Sequence, residues 1–91
     1  MKLQDALFNW VQIKLVSDGR PDDSAAVDTE AFFREMLEQD FHINDLNIIT
    51  SDEAMVHLTY TVEGKSKKQW YDREQAFLLL TEINAEPRYN L

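Results

Sequence analysis

The stretch Ala54-Met55-Val56-His57-Leu58-Thr59-Tyr60-Thr61-Val62, followed by Glu63-Gly64, constrains this chain more than any other. Ala54, Val56, Leu58, Tyr60 and Val62 are apolar. His57, Thr59 and Thr61 between them are polar, and Met55 breaks the pattern. Alternation with period two, rich in β-branched and aromatic residues, is the pattern of a strand with one face buried. Gly64 then supplies a residue that tolerates φ > 0 where a tight turn needs one. The segment Lys65-Ser66-Lys67-Lys68-Gln69-Trp70-Tyr71 becomes the return strand of a β-hairpin. Its register depends on loop length: an odd loop turns Trp70 to the apolar face, an even loop Tyr71. The expectation is Trp70 inward.

The flanking segments supply the rest of a small domain. Leu3, Ala6, Leu7, Trp10, Val11 and Ile13 fall within an arc of roughly 160°, so residues 2–17 are predicted as a first helix. Asp18-Gly19 and Pro21 are expected to stop it. Asp22, Asp23 and Ser24 are all suitable N-caps for a second helix, packed antiparallel on the first. Its apolar arc holds Ala25, Ala26, Thr29, Phe32, Phe33, Met36 and Leu37, with Phe33 expected to be fully buried. Glu30, Arg34 and Glu38 are placed on the opposite, solvent side at i,i+4 spacing. This helix is expected to end near Gln39-Asp40.

Leu46–Thr50 is a short strand candidate, joined to the central strand by a polar turn at Ser51-Asp52-Glu53. Asp72 is predicted to cap a last helix, stopped at Pro87. Residues 1–91 therefore form one α+β domain of order α-α-β-β-β-α. It comprises an N-terminal helical hairpin, a three-stranded antiparallel meander and a C-terminal helix packed on the sheet. At 44% hydrophobic content the chain can bury a core. A domain of this length is expected to hold about 5–14 kcal/mol of net stability.

Charge narrows the function. The net charge is −8, and all of the excess lies in residues 1–62, since residues 63–91 carry five bases and five acids. Such a surface repels polyphosphate, so nucleic acid is an unfavoured general partner and a basic protein a better one. There are no cysteines, which removes disulfides and thiolate metal sites. No apolar run approaches the length of a bilayer span, and residues 1–5 lack a signal-peptide pattern, so the expected location is cytoplasmic without membrane contact.

Candidate chemistry is sparse. His42 with Asp45, or His57, could serve a small enzyme only if the fold brought a carboxylate to the imidazole. Asp22-Asp23 and Asp52-Glu53 fall where caps and turns want acids, and lack the spacing of a calcium loop. The serines have no nucleophile elbow around them, and two glycines cannot make a phosphate loop. No metal and no cofactor is expected.

Two features carry binding hypotheses. The first is the strip Lys65, Lys67, Lys68, Trp70 and Tyr71, which gathers three of the nine basic residues beside two aromatics. It serves as a binding strip for an anionic partner, or as an edge strand guarded by lysines. The second is apolar excess off the core stripes at Leu15, Val16, Val27, Met55 and Leu78. Met55, His57 and Leu78 are the candidate subunit interface, provided that they and Tyr71 are contiguous. The chain reads as a non-enzymatic interaction or regulatory module acting as a homodimer. The alternative is a binder of single-stranded nucleic acid or another anionic ligand through residues 65–71.

Overall fold

The computed structural model describes residues 1–49 and 53–86. The elements are α1 (Leu3–Gly19), α2 (Ser24–Phe41), β1 (Ile43–Ile49), β2 (Met55–Val62), β3 (Lys65–Asp72) and α3 (Arg73–Ala85). The strands form an antiparallel sheet in the order β1-β2-β3, giving the α+β architecture expected from the alternating pattern and the flanking amphipathic segments. The turn assigned to Ser51-Asp52 and the helix stop assigned to Pro87 lie outside the described residues.

The helices make one layer over one face of the sheet. α1 packs against both α2 and α3, with α2 toward β1 and α3 toward β2 and β3. A helix in the middle of a layer has neighbours on three sides. That explains Leu15 and Val16, which the single-stripe reading left as excess but which are buried. Ala6, Leu7, Trp10 and Val11 complete the buried set on α1 and meet Val56, Leu58 and Tyr60 from β2. The helix also runs past its predicted stop. Gly19 is still helical, and its missing side chain makes room for Leu80 of α3, whose Cδ2 would lie 2.9 Å from a Cβ at that position.

α2 is rotated from its expected setting. Ala26, Glu30 and Leu37 face inward, while Phe32 is exposed and Phe33 only half-buried, its ring edge-on to Phe32 at 5.5 Å. Glu30 turns inward because Trp10 offers it a hydrogen bond: Nε1–H donates to Oε2 at 2.9 Å. Arg34, one turn on, donates to the same oxygen at 3.0 Å. A buried indole N–H and a carboxylate satisfy each other, at the expense of the purely apolar stripe. Asp23 caps the start by accepting from the Ala26 N–H, and His42, left-handed at φ 57°, closes the end two residues later than expected.

In the sheet, β1 is longer than predicted and irregular. Asn44 pairs with Thr61 and Asn47 with Thr59, which leaves Asp45 and Leu46 together opposite Tyr60. Asp45 takes φ 56°, the left-handed setting of a β-bulge residue. The extra residue shifts the facing by one. Ile43 as well as Leu46 and Ile48 can therefore pack toward the helices.

A candidate interaction surface on strand β3

The turn between β2 and β3 has two residues, Glu63 at φ 51° and Gly64 at φ 77°. Positive φ at both central positions is the type I′ geometry, whose twist matches that of the strands it joins. The loop is thus even, and the pairing runs from Val62 opposite Lys65 to Met55 opposite Asp72. Trp70 stands opposite His57 and Tyr71 opposite Val56. This corrects the expected facing. Tyr71 points inward, half-buried, its ring 5.4 Å from that of Phe8 on α1, whereas Trp70 is 59% exposed on the far side of the sheet. The inward place also orphans the Tyr71 hydroxyl, which is buried without a hydrogen-bond partner. Burial, reinforced by nearby Tyr60, pushes the Tyr71 phenol up to about 12.

The same register divides the lysines. Lys65 and Lys67 share the helix-side face with Tyr71, and Lys68 shares the outer face with Trp70. All three are exposed. On the outer face the Trp70 ring meets His57 edge-on at 5.5 Å. Met55 and His57 on β2 are half-buried there, and Ile49, opposite His57 on β1, is 44% exposed. Of the predicted interface residues, Met55 and His57 are therefore together. Leu78 is not with them: it is exposed on α3, in the helix layer, and Tyr71 faces the core. Ile49 is the member that sequence reasoning left out. It adjoins Ile48, so two-residue alternation alone would have sent one of the pair to each face.

Among the described residues, Lys68 and Asp72 are the charged ones that the register puts on this outer face, and Asp72 is engaged as the α3 cap, accepting from the Gln75 N–H at 3.1 Å. In a chain of net charge −8 the outer face is close to neutral.

The clefts elsewhere are of a different kind. One of about 520 Å³ lies between α1, α2 and the bulge of β1, lined by Trp10, Lys14, Glu30, Arg34 and Asp45 among others. Part of its charge is already engaged. Glu30 accepts from Trp10 and Arg34, and Lys14 pairs with Asp18 at 3.1 Å. Another, of about 390 Å³, sits at the start of α3 beside Arg73, whose guanidinium lies 4.8 Å above the Phe77 ring. Among the described residues no group of three or more His, Asp or Glu side chains is arranged to hold a metal ion. Among the same residues no helix is long and apolar enough to cross a membrane. Searches against protein-family models, curated proteins and solved structures find no match to this chain.

Proposed function

We propose that the protein is a non-enzymatic interaction module of the cytoplasm that acts as a homodimer, with β3 and the Trp70 side chain it carries as its docking surface. The observation that carries this reading is Trp70. An indole 59% exposed, backed by His57 and flanked by a nearly neutral face, is a large apolar anchor that no described element covers. The occupant is a second copy. Two chains of net charge −8 repel each other through most orientations, and this face is where that repulsion is least. It also bears one cation and one anion, Lys68 and Asp72, which a two-fold arrangement can bring diagonally across from each other.

Sedimentation over a range of protein concentrations tests it. Wild type is expected to show a monomer–dimer equilibrium, and Trp70→Ala to remain folded and shift that equilibrium at least tenfold toward monomer. A wild type that stays monomeric throughout would defeat the homodimer.

A second reading is supported by Lys68 and Trp70 standing on one face, the arrangement in which an anionic strand can be stacked and neutralised. It ranks lower because Lys65 and Lys67 face the other way, leaving one lysine beside the indole.

A further inference from the structure

We infer that two copies pair antiparallel through the edges of β3 that no described strand covers, about a two-fold axis at Gln69, so that the two three-stranded sheets become one of six strands. This rests on the homodimer proposed above and specifies its geometry.

The two edges of the sheet differ. β1 carries the bulge at Asp45 and Leu46, which interrupts any ladder a new strand could form along it. β3 is regular from Lys65 to Asp72. The pair closing a two-residue hairpin is hydrogen-bonded, so ladder alternation turns the N–H and C=O groups of Ser66, Lys68 and Trp70 to the open edge. An uninterrupted strand edge of this kind is a template for another strand.

Charge selects the partner strand and its direction. Lys65, Lys67 and Lys68 occupy one end of β3, and Asp72 and Glu74 lie at or just beyond the other. Laid antiparallel against itself, the strand brings its basic end alongside the end that holds Asp72, Arg73 and Glu74. A two-fold axis normal to the sheet keeps both helix layers on one side, and it must pass through a residue, because paired residues share a face.

Four centres leave a ladder of five or more β3 residues. An axis at Lys67 or Lys68 sets that lysine against its own copy, which is destabilising. An axis at Trp70 shortens the ladder to Lys68–Asp72. An axis at Gln69 runs the ladder from Ser66 to Asp72 and puts each Lys68 directly opposite the other copy's Trp70, within reach of its ring face. It also brings Lys65 opposite Arg73, whose guanidinium is drawn aside over Phe77. The lysines that guard the edge therefore also reject two of the other registers.

An independent feature fits the same arrangement. Leu80 of α3 points at Gly19 of α1. Leu78, about 200° around the helix from it, projects away from α1 and is 47% exposed. In the paired sheet that side of α3 turns toward the second copy.

The chain has no cysteine, so single-cysteine variants report the register directly. In Gln69→Cys the two thiols meet across a non-hydrogen-bonded pair, with Cα atoms about 4.5 Å apart, inside the range a disulfide spans. In Lys67→Cys they are about 14 Å apart along the strand. Mild oxidation is expected to convert most of Gln69→Cys to covalent dimer and to leave Lys67→Cys at least tenfold less cross-linked. Lys68→Pro removes an edge N–H that bonds to no described residue, so it should keep its circular dichroism spectrum and lose the dimer. A wild-type dimer in which Gln69→Cys fails to cross-link, in which Lys67→Cys does so equally, or which survives in Lys68→Pro overturns the edge register and leaves the homodimer standing. A wild-type monomer overturns both. Such a monomer that binds fluorescent oligo-dT at low salt hands the edge to an anionic ligand.

Discussion

The Tyr71 hydroxyl is buried with no hydrogen-bond partner, and its pKa is pushed up to about 12 by that burial first and by nearby Tyr60 second. In an unfolded chain the phenol ionises near 10. Between pH 10 and 12 the unfolded chain has released a proton that the folded one still holds, so stability must fall as pH rises through that window. Below pH 10 the group contributes no pH dependence. Tyr71→Phe removes both the unsatisfied hydroxyl and the titration while retaining the ring against Phe8. It should match or exceed wild type at pH 7 by up to about 1 kcal/mol, and lose less stability between pH 9 and 11. Urea titrations at those pH values decide it; a variant that weakens as steeply as wild type sinks the assignment. Glu30 makes a matching case. Glu30→Ala strands the Trp10 N–H and should cost about 1–3 kcal/mol, whereas Glu30→Gln keeps an acceptor and should cost less. Denaturant midpoints that rank the two the other way would mean that the Trp10 bond matters little. Neither residue was legible in its role. Periodicity ranks residues by polarity and sends a glutamate to solvent, and only a tertiary neighbour such as an indole N–H reverses that.

At the scale of elements, alternation and caps transmit well and local backbone irregularities do not. The strand of Val56, Leu58 and Tyr60 and the Asp72 cap were readable because each depends on neighbours within a few residues. The Trp70 facing was missed because loop parity turns on whether Glu63 accepts φ 51°, a setting uncommon for glutamate. The β1 bulge was missed for the same reason at Asp45. Burial of Leu15 and Val16 needed the knowledge that α1 lies between two helices. The hairpin turn gives a direct check. Gly64→Ala meets no atom within 4 Å, so its cost is conformational, about 1 kcal/mol from φ 77°. Glu63→Asn, better suited to the left-handed region, should gain a few tenths of a kcal/mol. Thermal denaturation in which the alanine variant equals wild type would contradict the type I′ geometry, and with it the strand facing.

At the scale of the molecule, the described residues span 44 × 28 × 21 Å with a radius of gyration of 13.4 Å. A compact domain of this length would have a radius near 12 Å. Around the β2–β3 turn Glu63, Gly64, Lys65, Ser66 and Lys67 are all open to solvent. This lysine-bearing turn and the acidic remainder respond to salt in opposite ways, and that separates the two functional readings. Binding of an anionic strand by a few lysines weakens as salt rises, because the counterions it releases become harder to release. Self-association of chains with net charge −8 is opposed by long-range repulsion, which is screened over about 8 Å at physiological ionic strength. The local attraction of Lys68 to its partners is also screened, but it involves few charges beside the repulsion of two whole chains. Backbone pairing and burial of Trp70 depend little on ionic strength. The dimer is therefore expected to be weakest at low salt and to hold or tighten between 50 and 500 mM salt, roughly from one and a half to half a Debye length at 0.1 M. Sedimentation across that range measures it, and dissociation as salt rises would show that charge attraction, rather than the edge and its indole, holds the partner.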